Sequence, residues 1–138
     1  MSHTPDAAVA DRLVEKARTA RRNAYCPYSR FAVGAALLAE SSRIYTGANC
    51  ENAAFGAGIC AERAALSAAV TAGERRFLLL AVAAGDKPVT PCGICRQVMR
   101  EFCRDDFLIY MGGPEGSYET HTLAEMLPFG FSASQHMK

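Results

Sequence analysis

The chain lacks any run approaching the roughly 18 to 20 apolar residues that cross a bilayer, so no membrane-spanning helix is expected. Concentrated charge of one sign is missing too. Lys and Arg number 15 against 14 Asp and Glu, a formal net charge of +1. That balance gives no strong positive field for a phosphate backbone, so a nucleic-acid polymer is a poor partner. The opening residues, Met1-Ser2-His3-Thr4-Pro5-Asp6, have neither the basic nor the apolar region of a secretory leader, and a cytoplasmic protein is expected. Repeats, low-complexity tracts and linkers are absent, so residues 1–138 read as a single domain. There is no second C-x-x-C pair, and the three histidines stand outside paired-ligand spacing. A closed, purely structural metal site needs four protein ligands and is correspondingly disfavoured.

What is present is largely apolar. Half of the residues are hydrophobic, and Leu123, Met126, Leu127, Phe129 and Phe131 add more apolar surface than a small globule readily hides, so subunit contacts are expected. The six cysteines read as reduced thiols in a chain without a secretory leader. Cys26, Cys50 and Cys103 fit no ligand motif and read as small buried apolar residues. Arg21-Arg22 and Arg75-Arg76 read as solvated helix ends.

Periodicity divides the chain into helices and strands. Thr4-Pro5-Asp6 is a helix start, with Val9, Leu13, Ala17 and Ala20 at helical spacing up to Asn23. Val33 to Ala39 and Arg43 to Ala48 form a hairpin across Glu40-Ser41-Ser42. A loop rich in Gly and Ala, Asn49 to Gly58, leads to a helix over Cys60 to Ala72 closed by Gly73. Phe77 to Ala84 is a strand, Gly85 to Pro91 a loop and Cys92 to Phe102 a helix. Short strands follow at Phe107 to Met111 and Tyr118 to Thr122, then a short helix over Thr122 to Leu127 and a flexible tail, Ser132 to Lys138. This order predicts an α/β protein, a sheet flanked by helices.

Two motifs carry chemistry, Cys60-Ala61-Glu62 and Pro91-Cys92-Gly93-Ile94-Cys95. Cys92 and Cys95 lie on one face of a helix start, and Cys60 supplies a third thiol from a second helix start. Helix N-termini favour the thiolates that zinc requires. Three protein ligands leave the fourth position of a tetrahedron for water, the arrangement of a catalytic zinc ion. Glu62 is then placed to carry the proton of that water; its plainer role is to complement the helix dipole. Three thiolates on one dication leave a negative cluster, which Arg63 offsets by hydrogen bonding to sulfur, unless it is an ordinary solvated helix residue.

Glutamate two residues after the first ligand, with P-C-x-x-C further on, is the pattern of zinc nucleobase deaminases. The chain resembles, from Tyr25 to Phe131, the small homotetrameric cytidine deaminases. The runs that carry this are Tyr25-Cys26-Pro27-Tyr28-Ser29, Phe31-Ala32-Val33-Gly34-Ala35-Ala36, Asn49-Cys50-Glu51-Asn52-Ala53, Cys60-Ala61-Glu62-Arg63 and Pro91-Cys92-Gly93-Ile94-Cys95-Arg96-Gln97-Val98. The resemblance implies a three-layer α/β/α fold with a mixed central sheet of about five strands. It places Phe31 against the base, which suits a flat ring, although composition alone favours Phe31 as plain core. It places Asn49 and Glu51 on the ribose 3'-hydroxyl. It also implies that the Ala61 amide and the carbonyl near Thr90 orient the substrate. Sites shared between subunits of a homotetramer are implied as well, with Phe131 reaching a neighbour's pocket and Phe129 competing for that role. Phe55 stands where relatives often have tyrosine, and Cys50 where an aliphatic residue is frequent.

The activity so implied is hydrolytic deamination of cytidine and 2'-deoxycytidine to the uridines with release of ammonia, a step of pyrimidine salvage acting on a small nucleoside. Zinc acidifies a water, and Glu62 moves its proton to N3 and then helps protonate the departing amino group. Deaminases of antibiotics such as blasticidin S share the Cys-Ala-Glu and Pro-Cys-x-x-Cys core, but Asn49-Cys50-Glu51-Asn52-Ala53 argues for a nucleoside. A non-catalytic module stabilised by zinc is the alternative outside enzymes.

Overall fold

The computed structural model describes residues 7–137; the helix start expected at Thr4-Pro5-Asp6 lies outside them. The helical spacing of Val9, Leu13 and Ala17 produces α1 (Ala7–Arg21), which buries Ala10, Leu13, Val14 and Ala17 on one stripe. Arg18 and Arg21 stand in its last turn, where positive charge complements the helix dipole. Arg21 is no merely solvated end, because its Nε donates to the Ala32 carbonyl at 2.7 Å.

The hairpin forms as β1 (Gly34–Ala39) and β2 (Ile44–Ala48). β1 begins one residue later than the apolar run suggests. Val33 gives its N–H to Asn49 Oδ1 at 2.8 Å, which removes that donor from strand pairing. There follow α2 (Ala61–Thr71), β3 (Phe77–Ala83), α3 (Gly93–Phe102), β4 (Leu108–Gly112), β5 (Tyr118–Thr122) and α4 (Leu123–Met126). The tail expected to be flexible contains a further short helix, α5 (Ala133–His136).

The five strands form one sheet in the order β2-β1-β3-β4-β5. β3 and β4 run parallel, with Leu79 opposite Leu108, and the other pairs are antiparallel. The parallel pair demands a crossover, and α3 supplies it. Alternation along the strands then separates two cores. Ala36, Leu79, Ala81 and Tyr110 face α1. Ala35, Leu37, Leu80, Val82, Ile109 and Met111 face the other way, with α2 and α3. The outcome is the expected three-layer α/β/α fold on a mixed sheet of five strands.

Alanine sets the spacing of the layers. Ala10, Ala17, Ala35, Ala36, Ala39, Ala61, Ala65, Ala69, Ala81 and Ala83 are all buried. Two glycines carry the approach further. A Cβ on Gly34 would stand 2.0 Å from the Ala17 carbonyl oxygen, and one on Gly47 would stand 2.5 Å from the Ala61 oxygen and from the Ala65 nitrogen. Gly47 therefore lets β2 lie directly against the first turn of α2.

Leu123 and Met126 are buried in the core, so part of the apolar C-terminal surface is hidden within the chain itself. Phe129 and Phe131 remain exposed. Of the three cysteines without a ligand motif, Cys103 is buried, Cys26 half-buried and Cys50 exposed. Cys50 departs from the expectation because its backbone bridges Tyr25 on one side and Ile59 on the other, within a loop rather than a core element. No helix among the described residues is long and apolar enough to cross a membrane.

Candidate active site

Two helix beginnings on the same side of the sheet bring the three thiols together. Cys60 is the N-cap of α2, with extended backbone, and Cys92 is the N-cap of α3. Cys92 therefore lies just outside the helix rather than in its first turn. Cys95 follows within the first turn and is fully buried. The Cys60 and Cys92 sulfurs are 3.8 Å apart and those of Cys92 and Cys95 are 3.4 Å apart, and all three lie within 4.8 Å of one another. A tetrahedral zinc ion with Zn–S bonds of about 2.3 Å holds its sulfurs about 3.8 Å apart. The spacing and the all-thiol donor set fit zinc.

The electrostatics around the sulfurs are uneven. Burial pushes the Cys92 thiol up, but hydrogen bonds from the Cys95 amide and thiol, from Cys60 and from the Ile94 amide outweigh it, and the net shift is downward. Burial, with the nearby Glu62 charge second, pushes Cys95 well above the ordinary thiol range. A bound dication would hold such ligands as thiolates. Arg63 Nη2 donates to Cys60 Sγ at 3.5 Å, and the Cys60 and Cys95 sulfurs together hold its guanidinium firmly protonated. Arg63 is thus half-buried and turned toward a sulfur.

Glu62 is only 6% exposed, and burial raises its carboxyl above the usual carboxylate range. A dipole-complementing residue at a helix start would ordinarily face water. This carboxyl instead lines a cavity of about 390 Å³ together with Cys60, Ala61, Cys92 and Arg63. The same cavity is bounded by Phe31, Asn49, Glu51 and Thr90. Phe31 is 50% exposed, so it is a cavity wall and not core.

The polar residues of that wall are partly spoken for. Asn49 Nδ2 donates to the Phe31 carbonyl at 2.8 Å, and its Oδ1 accepts from Val33. The opposite chemistry of these two partners fixes which way the amide points. Glu51 Oε1 accepts from the amides of Tyr28 at 3.0 Å and Ser29 at 3.1 Å, and Oε2 accepts from the Ser29 hydroxyl. The Ser29 hydroxyl first, then its amide and that of Tyr28, hold the Glu51 carboxyl below its ordinary value. One more residue of the wall, Phe55, packs edge-on against Tyr28 with ring centroids 6.1 Å apart.

Phe131 is not brought to this cavity within the chain. Its carbonyl accepts from Gln97 Nε2 at 2.9 Å, and its ring stacks on His136 at 5.0 Å. Phe129 projects fully into solvent with φ of 56°. Sequence reasoning passed over Ser29, which lines the cavity and holds Glu51. It also passed over Arg96, which donates to the Pro91 carbonyl at 2.7 Å and to the Met126 carbonyl at 2.6 Å, tying the metal-motif loop to α4. Both residues stand in the quoted runs, but neither has ligand spacing or periodicity to mark it.

Comparison with known proteins agrees with this geometry. Residues 8–111 match the family model described as the cytidine and deoxycytidylate deaminase zinc-binding region. A cytidine deaminase of Sporosarcina psychrophila is 48% identical over 123 residues, covering 88% of this chain and 90% of that protein. One from Halalkalibacterium halodurans is 48% identical over 122 residues, covering 88% and 92%. The crystal structure of the cytidine deaminase from Burkholderia pseudomallei superposes with a TM-score of 0.83 at 38% identity, covering 95% of this chain and all of that one. With three thiols at zinc spacing, a buried glutamate beside them and similarity over most of its length, the chain belongs to the cytidine and deoxycytidylate deaminase zinc-binding family.

Proposed function

We propose that the protein catalyses the hydrolytic deamination of cytidine and 2'-deoxycytidine to uridine and 2'-deoxyuridine, releasing ammonia. The observation that carries this reading is that buried Glu62, two of the metal-fitting cysteines and the Phe31, Asn49 and Glu51 wall all line one cavity. Cys60, Cys92 and Cys95 would hold a zinc ion, which when bound would supply a Lewis acid able to make a water acidic near neutral pH. Glu62 accepts one proton of the attacking water and delivers it to N3 as the oxygen adds to C4. The second proton passes to the 4-amino group, the C4–N bond breaks, and ammonia leaves. The raised affinity of Glu62 for a proton suits a group that must both take and give one. Arg63 offsets the negative charge of three thiolates through its bond to Cys60.

Substrate recognition follows from the hydrogen-bonding capacity that remains. An ionised carboxylate has about four acceptor positions, and three protein donors already occupy Glu51. One is left, on Oε2. Asn49 keeps one N–H. Together they match a single hydroxyl, donor and acceptor at once, which supports the reading, implied by the family resemblance, that they bind the sugar 3'-hydroxyl and make no demand for a 2'-hydroxyl. Phe31 packs on the pyrimidine, and the Ala61 amide and the carbonyl at Thr90 orient it. The reading extends to residues 1–138 acting as one domain and to a homotetramer in which Phe131 of one subunit closes the site of another. It extends also to a role in pyrimidine salvage in the cytoplasm, where free thiols stay reduced.

The test is turnover by zinc-quantified protein of cytidine, 2'-deoxycytidine, cytosine and blasticidin S, followed by ultraviolet absorbance and ammonia release. Deamination of the two nucleosides, lost in Glu62→Ala, is the expected result. Turnover of blasticidin S alone would move the substrate to that antibiotic, and full zinc occupancy without any turnover would make the module structural.

A further inference from the structure

Phe31 presents a puzzle of positioning. Half of its surface is exposed, so packing alone does not hold the ring. Its backbone is held instead, at both ends. The Phe31 N–H donates to Ser29 Oγ at 3.0 Å, and its carbonyl accepts from Asn49 Nδ2 at 2.8 Å. The turn that leads into it contains Arg30 in the left-handed region, at φ of 59°. A non-glycine residue there costs free energy that surrounding bonds must offset.

Ser29 joins this clamp to the sugar end of the cavity. Its hydroxyl can donate only one proton, and that proton goes to Glu51 Oε2, while its lone pair receives the Phe31 N–H. Its own amide adds a second bond to the same carboxylate. Donation to a charged acceptor pulls electron density onto the serine oxygen and makes it a better acceptor for Phe31. Glu51, Ser29, Phe31 and Asn49 thus form one chain of bonds that begins and ends at the residues assigned to the 3'-hydroxyl.

We propose that Ser29 is a positioning residue that couples recognition of the sugar 3'-hydroxyl to the placement of the Phe31 ring against the base. This rests on the nucleoside deaminase reading above. A nucleoside bearing a 3'-hydroxyl tightens the whole chain when it bonds to Glu51 and Asn49; one lacking that hydroxyl engages only the base end.

The test compares cytidine with 3'-deoxycytidine on zinc-loaded protein, in the parent and in Ser29→Ala. Loss of a hydrogen bond to a charged group lowers kcat/KM for cytidine by about 10- to 100-fold, mainly through KM. For 3'-deoxycytidine the loss is only about two- to threefold, the part that acts through Phe31 alone. The parent's preference for the 3'-hydroxyl therefore collapses in the variant, with zinc content unchanged. Ser29→Thr keeps the hydroxyl and retains the preference. If Ser29→Ala fails to fold, Ser29→Cys, close in volume but a weak donor, is measured in its place and the same collapse is expected. A general structural defect lowers both substrates alike, so equal losses, or an unchanged preference, would overturn the proposal. A parent inert toward cytidine would sink the nucleoside reading along with it, whereas an active parent with an unchanged preference sinks the role of Ser29 alone.

Discussion

Glu62 and Cys60 are two residues apart, yet one is buried and the other half-buried at the mouth of the same helix. That difference separates their roles, and substitution separates them experimentally. Glu62→Gln keeps the three thiols and is expected to keep zinc while kcat falls by about 10²- to 10⁴-fold, the usual range for a proton-transfer group. Metal analysis beside turnover checks this. Cys92→Ala removes a ligand, so zinc content and melting temperature both fall, because metal binding is coupled to folding. Cys103 makes a contrasting case: burial pushes its thiol up to about 12, so it remains unalkylated by iodoacetamide at about pH 9 until the protein is denatured, as peptide mass mapping would read. The ligands and Glu62 were legible in the sequence because their chemistry is written in fixed short spacings. Ser29 was not, since its part depends on a turn through Arg30 that no periodicity encodes. Cys50 misled for a related reason: a lone cysteine carries no pattern that says which way its loop faces.

At the level of elements, hydrophobic period located every strand and the long helices, and missed mainly where side chains compete with backbone. Asn49 takes the Val33 donor and shortens β1. Thr122, read as the first residue of a helix, is instead its N-cap in a reciprocal capping box with Glu125. The Thr122 amide first, then His121 and the Thr122 hydroxyl, hold the Glu125 carboxyl below its ordinary value. A depressed carboxyl contributes stability that is present above its unfolded value and lost as pH falls through the folded one. Glu125→Ala should therefore lower the melting temperature near pH 7, and the difference from the parent should shrink on acidification toward about pH 3, in paired thermal scans. Gly47 bears on the site more directly. Gly47→Ala forces a Cβ against the Ala61 oxygen and Ala65 nitrogen, an overpacking expected to cost about 1–3 kcal/mol. It should also lower kcat, because the first turn of α2 carries Glu62; denaturation and kinetics on the same preparation test both effects.

For the whole molecule, the C-terminal aromatic pair is apolar surface left uncovered by the chain's own fold. Phe129 and Phe131 are exposed, as is Ile94 beside the metal ligands. The proposed sharing of sites between subunits leads to a strict expectation. Glu62→Ala and Phe131→Ala proteins, each impaired alone, should recover part of the activity when unfolded and refolded together, since some mixed sites then hold both intact residues. Activity that never exceeds the sum of the two would argue that each chain completes its own site. The alanines between the layers bear on how such a protein can change over generations. They give up no rotamer freedom on burial, but any larger side chain in their place overpacks a tight interface, at about 1–3 kcal/mol against a typical reserve of about 5–15 kcal/mol. Packing thereby penalises inherited change between the layers, whereas a side chain that stands in solvent, such as Phe129, carries no such penalty. A lineage built on this scaffold can drift at its exposed positions while the spacing of its layers stays frozen.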